Sequence, residues 1–223
     1  MSKKIVLIIV EGISEKNALE GILKVLLQKE NAIELVVYDG DILTSLTPVD
    51  KIIQKCKETL TINGFFASDV IEIIQISDLD GCYIDDSNVL KKEYGSIKYT
   101  ESTIDCIEAE SIIARNQNKR NSIQLLRTIS TVSIDDVNIP FKLYYNSCNL
   151  EHVLYDQRTL NRKQKTAKAM IFALEYDSKE IEFIGFIKTH SLGKDEIDLW
   201  EHVKKDNNSL QKSSTLYFLF DEE

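Results

Sequence analysis

The chain has 223 residues, with 27 basic and 36 acidic side chains, and its formal net charge at pH 7 is −9. The hydrophobic fraction of 43% is sufficient for a packed core, so the composition excludes a disordered chain. Apolar runs such as Ile5–Val10 are much shorter than the roughly 20 residues of a membrane-spanning helix, and no signal-peptide pattern with a small-residue cleavage site follows that run. We therefore expect a cytoplasmic α/β protein without membrane contact, and the net charge by itself argues against nucleic-acid binding.

The first 80 residues predict three strands that alternate with two helices. The aliphatic run Ile5–Val10 is typical of a strand that is covered on both faces of a parallel sheet. The elements predicted after it are a helix from residue 14 to about residue 29, a strand over residues 33–38, a helix from Pro48 to the Asn63-Gly64 pair, and a strand over residues 70–76. This βαβαβ order predicts parallel neighbours that are joined by right-handed crossovers.

The pattern changes after Cys82. Residues 102–130 indicate mostly helix without a clear strand, so a helical insertion is predicted at residues 83–136. The elements predicted beyond it are a fourth strand over residues 140–146, a short helix at 149–155, a longer helix at 159–176, two shorter helices and a terminal strand at 215–220. Residues 156–223 thus form a mainly helical extension, and the whole chain, residues 1–223, is expected to be one domain.

Acidic residues stand where the predicted strands end. Glu11 ends the first strand, Asp39 and Asp41 follow the second, and Asp78 and Asp80 end the third. Because the carboxyl ends of neighbouring parallel strands form the ligand crevice of such a sheet, these side chains are expected to converge. Carboxylates in one crevice raise one another's pKa, and a divalent cation such as Mg²⁺ or Mn²⁺ removes that penalty. The alternative for each acid is a helix cap or a solvated turn, and for Asp39 and Asp41 both interpretations stay open.

Two of these acidic segments resemble the sequence motifs of the Toprim domain. Residues 9–15 (Ile-Val-Glu-Gly-Ile-Ser-Glu) end a strand in Glu-Gly and place a second acid, Glu15, four residues after Glu11. Residues 76–81 (Ile-Ser-Asp-Leu-Asp-Gly) resemble the second motif, in which a strand ends in Asp-x-Asp-Gly. The order and the spacing of the two motifs fit those of the Toprim fold.

A third segment resembles one particular group of Toprim proteins. Residues 146–152 (Asn-Ser-Cys-Asn-Leu-Glu-His) are similar to a segment of the RloB-like Toprim proteins of bacterial defence loci, with Ser147 in place of a proline and Asn149 in place of an aromatic residue. The overcoming-lysogenization-defect (OLD) nucleases are a second similar group. The resemblance covers roughly residues 5–81 and 140–155.

The resemblance implies a Rossmann-like Toprim core, in which helices flank a mainly parallel sheet. It implies catalytic roles for Glu11, Asp78 and Asp80. The implied ligands of one or two Mg²⁺ or Mn²⁺ ions are Glu11, Glu15, Asp78, Asp80 and Glu151. The implied reaction is metal-assisted hydrolysis of phosphodiester bonds in DNA or RNA. Topoisomerases and primases of the same family need a tyrosine-bearing domain or a zinc module, for which this chain has no room.

The same resemblance implies an anti-phage or abortive-infection effector that a partner ATPase controls. This sequence has no GxxxxGK[ST] motif, so the ATPase must be another chain. A homo-oligomer is also compatible with the sequence. Two other functions stay open, namely a non-catalytic Toprim-like module that binds an ATPase or a nucleic acid, and a phosphohydrolase of nucleotides or other small molecules. Haloacid-dehalogenase phosphatases carry Asp-x-Asp-Gly after the first strand and receiver domains are shorter, so both are disfavoured.

Basic residues are concentrated in two stretches without acids, residues 111–134 and 157–174. In the second stretch Arg158, Arg162 and Lys165 recur at i, i+4 and i+7, which predicts a stripe on one helical face. The residues predicted to contact the phosphates of a nucleic acid are Arg115, Lys119, Arg120, Arg127, Arg158, Arg162 and Lys165. The alternative is a solvated helix face or a docking surface for an acidic partner.

Overall fold

Aliphatic side chains on both faces place the first strand inside the main sheet, where all six of its residues are buried. The computed structural model describes residues 4–27, 32–191 and 193–221. Its strands are β1 (Ile5–Val10), β2 (Ala32–Val37), β3 (Val70–Asp78), β4 (Val89–Lys91), β5 (Lys98–Tyr99), β6 (Ile104–Cys106), β7 (Thr131–Ile134), β8 (Val137–Ser147) and β9 (Ser213–Ser214). Odd-numbered side chains of β1 pack into one core layer and even-numbered ones into the layer on the opposite face.

Four parallel strands form the centre of the sheet in the order β2-β1-β3-β8. β7 lies antiparallel to the first part of β8, and β9 lies antiparallel to its end. The predicted α/β class with a mainly parallel sheet is therefore confirmed. The fourth parallel strand begins three residues earlier than predicted and ends one residue later, because its beginning pairs with β7 as a hairpin.

Helices cover both faces of this sheet. They are α1 (Ile13–Leu27), α2 (Pro48–Asn63), α3 (Ala109–Leu126), α4 (Leu150–Tyr155), α5 (Arg162–Glu175), α6 (Glu180–Lys188) and α7 (Glu196–Val203). α1, α5 and α6 pack on one face, and α2, α3 and α7 pack on the other. The predicted end of the first helix near residue 29 lies outside the described residues. None of the helices in the described part of the chain combines the length and the apolar character that crossing a membrane requires.

The predicted helical insertion is only partly helical. Residues 83–136 contain α3, but they also contain β7 and the three short strands β4, β5 and β6. These three form a separate small sheet with β6 in the middle. The prediction that residues 102–130 contain helix without strands is therefore wrong at the beginning of that range, where β6 lies. Strands of two or three residues hold too few alternations to reveal a period of two.

A capping box moves the start of α5 to Arg162, three residues later than predicted. The backbone N–H of Gln164 donates to Asn161 Oδ1, and the backbone N–H of Asn161 donates to Gln164 Oε1, each at 3.0 Å. Arg158 therefore precedes the helix. The predicted stripe of Arg158, Arg162 and Lys165 on one helical face does not form.

The terminal strand predicted at residues 215–220 is also wrong. Leu216–Leu219 forms a 3₁₀ helix. The strand that pairs with β8 in this part of the chain is β9, which consists of Ser213–Ser214. The Ser214 hydroxyl accepts the backbone N–H of Leu216 at 3.1 Å, which turns the chain away from the sheet edge.

Gly81, in the turn after β3, provides a test of the local geometry. Its φ of 68° costs other residues about 1–2 kcal/mol, and a Cβ there would lie 2.5 Å from Leu210 Cδ2. We expect Gly81→Ala to lower the free energy of unfolding by about 2–4 kcal/mol, as measured by chemical denaturation. In the control Gly21→Ala the new Cβ meets no atom within 4 Å in mid-helix, so stability should rise by about 0.5–1 kcal/mol. A Gly81→Ala protein as stable as wild type would contradict this turn.

Candidate metal centre

Three carboxylates meet at the carboxyl end of the parallel strands. Glu15 stands in the first turn of α1, Asp78 is the last residue of β3, and Glu151 lies in α4, which follows β8. One oxygen from each side chain lies within 4.8 Å of the other two, so the group is able to hold a metal ion. Of the strand-end acids that the sequence predicts to converge, Asp78 belongs to this group, and Glu15 and Glu151 join it from α1 and α4.

Backbone hydrogen bonds fix the orientation of Asp78 at the centre of this group. The backbone N–H of Leu150 donates to Asp78 Oδ1 at 2.9 Å, which ties the start of α4 to the end of β3. The backbone N–H of Asp78 donates to Glu11 Oε1 at 3.0 Å, which ties β3 to the end of β1. Asp78 is 7% exposed, so water does little to solvate its charge.

Gly12 leaves room for the carboxylate of Glu15. A Cβ at this position would lie 2.8 Å from Glu15 Oε2, closer than non-bonded atoms approach. The Ser14 hydroxyl donates to the same Glu15 oxygen at 3.0 Å. The Glu-Gly pair that ends the first strand therefore positions the acid one helical turn later.

Glu151 carries an oxygen without a hydrogen-bond partner. The residue is 3% exposed; its Oε1 accepts from Lys165 Nζ at 2.8 Å, whereas its Oε2 is buried and has no donor within the described residues. A buried carboxylate oxygen without a partner is costly, and a cation at this position would remove the cost. The donor set of three carboxylates consists of hard oxygen ligands, so the site fits a divalent metal ion.

The pKa values of the buried acids also indicate that positive charge is missing at this site. Burial raises the pKa of Asp78 well above its usual value, and the carboxylates of Glu11 and Glu151 raise it further. Burial also raises the pKa of Glu151, against the opposing effect of Lys165. The pKa of Glu11 is raised well above its usual value by burial and then by Asp41. In each case the raised pKa shows that the charged carboxylate lacks sufficient compensation from the protein.

A second group of acids lies around the ammonium of Lys119. This side chain is fully buried, and its Nζ lies 2.7 Å from Asp41 Oδ2, 2.6 Å from Asp80 Oδ2 and 2.8 Å from the backbone oxygen of Asp78. Burial alone would raise the pKa of Asp80, but Lys119 and Arg115 lower it below its usual value. The Asp80 carboxylate is therefore held charged by protein cations.

The structure thus divides the predicted ligands. Asp78, Glu15 and Glu151 lie together, and the Glu11 carboxylate accepts the backbone N–H of Asp78. Asp80 belongs to the lysine group instead of the three-carboxylate group.

Asp39 and Asp41 also differ in their surroundings. Asp41 binds Lys119 and also accepts the backbone N–H of Leu43 at 2.9 Å. Asp39 is an exposed turn residue with a φ of 59°. The Asp-Gly turn in the sequence indicated that both interpretations were open, but it gave no sign that Asp41 has a lysine partner.

Most of the predicted nucleic-acid contacts are engaged within the protein. Lys119 has no exposed surface, so the prediction that it contacts phosphates is wrong. Arg115 donates to the backbone oxygen of Asp80 at 2.9 Å and to the Tyr99 hydroxyl at 3.0 Å. Arg120 donates to the Cys82 backbone oxygen at 2.8 Å.

The remaining basic residues differ in exposure. Arg127 lies over the ring of Trp200 at 4.7 Å, and Arg158 donates to the Leu210 backbone oxygen at 3.2 Å. Arg162 is exposed. Lys165 pairs with Glu151, as described above, and one third of its side chain is exposed.

Comparison with protein-family models, curated proteins and solved structures gave no match to this chain. Membership of the Toprim family therefore stays a prediction from the two acidic motifs.

The raised pKa of Asp78 predicts a pH-dependent stability. Between its usual value of 3.8 and its raised value, the folded state holds a proton that the unfolded state has lost, so stability falls as pH rises through that interval. In metal-free buffer, Asp78→Asn should therefore gain stability relative to wild type, by about 1.4 kcal/mol for each pH unit of that interval. Denaturation curves between about pH 4 and pH 9 measure it, and a difference independent of pH would refute the assignment.

Proposed function

We propose that this chain is a metal-dependent phosphodiester hydrolase that cleaves nucleic acid, as the Toprim resemblance of its two acidic motifs implies. The observation that carries the proposal is the group of Glu15, Asp78 and Glu151, whose ligand oxygens lie within 4.8 Å of one another. Glu151 also has a buried oxygen, Oε2, for which the described residues provide no hydrogen-bond donor. The three residues come from three separate elements at the edge of the sheet where ligands of such folds bind. In this proposal they hold Mg²⁺ or Mn²⁺.

The chain's own residues have distinct roles in this proposal. A bound ion would supply an activated water and offset the charge on the leaving oxygen. Asp78, which the Leu150 N–H holds in position, would hold this ion together with Glu15 and Glu151. Lys165 contacts Glu151 and reaches solvent, so its ammonium is placed to bind a phosphate oxygen of the substrate. Glu11 orients the end of β3 through the Asp78 N–H.

The surface of α5 favours a polyanionic substrate. Arg162, Lys163 and Lys168 lie on the same helix as Lys165, and α5 carries no acid before Glu175 at its last position. This helix packs against α1, which carries Glu15. Cations along one helix next to the carboxylates offset the repulsion between a chain of net charge −9 and a phosphate backbone. The role in phage defence and control by a partner ATPase are part of the same proposal, and they rest on the resemblance alone.

Hydrolysis assays test the proposal directly. Single-stranded and double-stranded DNA and RNA are incubated with the full chain in Mn²⁺ or Mg²⁺, with EDTA as the metal-free control. We expect cleavage that needs the metal, and Asp78→Asn or Glu151→Gln should lower its rate by about 100-fold or more because each removes a ligand charge. Glu182→Gln, which changes an exposed acid of α6, is the matched control and should cleave like wild type.

Three results would contradict this function. Undiminished cleavage by Glu151→Gln would show that the three carboxylates are not the site. Turnover of nucleotides without cleavage of any polymer would indicate a small-molecule phosphohydrolase. No hydrolysis with either metal, even with a partner ATPase present, would indicate a non-catalytic binding module.

A further inference from the structure

Lys119 occupies a position that resembles a cation site. Its Nζ is surrounded by three oxygens at 2.6–2.8 Å, two from the carboxylates of Asp41 and Asp80 and one from the backbone of Asp78. These oxygens come from the ends of β2 and β3 and the loops that follow them, so the ammonium links two parallel strands that are not adjacent in the sheet. Hard oxygen donors from strand ends are the ligands that Mg²⁺ and Mn²⁺ also prefer.

The helix that carries Lys119 is fastened at several points. Arg115 and Arg120 donate to the backbone oxygens of Asp80 and Cys82, at 2.9 and 2.8 Å. On the same helix, the Ser122 hydroxyl donates to the backbone oxygen of Ser45 at 3.0 Å, in the loop that follows Asp41. These contacts hold α3 against the loops after β2 and β3, and so keep the Lys119 side chain within reach of its three oxygens.

The charges of the two groups differ. Asp41 and Asp80 carry two negative charges, and Lys119 and Arg115 supply two positive ones. The group of Glu15, Asp78 and Glu151 has three carboxylates but only the ammonium of Lys165 beside it. Two negative charges are left over among these three carboxylates, and the Glu11 carboxylate, which accepts the Asp78 N–H, adds to the excess. One divalent ion at this group would offset two of these charges.

We propose that Lys119 is a built-in cation that takes the place of a second metal ion, so that each chain binds a single divalent ion, at Glu15, Asp78 and Glu151. This inference rests on the proposed function and goes beyond it, because the acidic motifs are compatible with one ion or two. Asp80 then acts through Lys119, as a positioning residue for the loop after β3.

Counting Mn²⁺ ions per chain tests the inference. Equilibrium dialysis of the full-length protein with Mn²⁺ should give one ion for wild type and none for Glu151→Gln at the same free concentration. Lys119→Met replaces the apolar stem of the side chain and removes the ammonium, so Asp41, Asp80 and the Asp78 carbonyl should now take up a second ion. The matched control adds Asp41→Asn and Asp80→Asn to Lys119→Met, and its count should return to one.

The outcomes separate the two proposals. Two results would overturn the role of Lys119 and leave a metal-dependent function intact. One is a count of two ions in wild type, and the other is a single ion that Glu151→Gln still binds and Asp80→Asn does not. No ion in wild type would refute the proposed function itself. If Lys119→Met fails to fold, the wild-type count and the Asp80→Asn count decide, and the inference requires one ion in both. A folded Lys119→Met protein that still binds one ion would also overturn it.

Discussion

The contacts of the Lys119 ammonium are the constraint on which the rest of the site depends. Transferring an ammonium into a protein interior costs several kcal/mol, and only close, well-placed partners repay it. Asp41, Asp80 and the Asp78 carbonyl provide them at 2.6–2.8 Å. Because the three oxygens belong to the ends of β2 and β3 and the loops that follow, the lysine holds both loops against α3. The backbone of Asp78 is fixed by the same contact, and its side chain meets Glu15 and Glu151 instead of the lysine.

The acids of the crevice therefore fall into two groups. In the group around Lys119, the cations Lys119 and Arg115 offset the carboxylate charge and lower the pKa of Asp80. The other group is not neutralised, and burial together with neighbouring carboxylates raises the pKa of Asp78. A residual deficit of positive charge in a buried position is the physical basis for the proposed metal binding, and an ion there would lie next to Lys165 of α5. The overall charge of −9 is therefore a poor guide to the local field.

The sequence was informative where local patterns decide the structure. The aliphatic run of β1, the Pro48 start of α2 and the acids after the strands predict the parallel core and the edge at which the carboxylates meet. The burial of Lys119 was not predictable in this way. It depends on the path of the segment between residues 83 and 136, which brings residue 119 beside residues 41 and 80, and no periodicity encodes such a contact. The acid-free stretch of residues 111–134 suggested an exposed basic face, yet Lys119 points inward because the acids that pair with it lie on other elements.

In the proposed site, one divalent ion binds beside Lys119, and not in its place. Anomalous diffraction from a crystal of the full chain soaked in Mn²⁺ tests this arrangement most directly. We expect a single anomalous peak in contact with carboxylate oxygens of Glu15, Asp78 and Glu151, with the Lys119 ammonium still bound to Asp41 and Asp80. A peak between Asp41 and Asp80, a pair of peaks, or no peak near these carboxylates would contradict it.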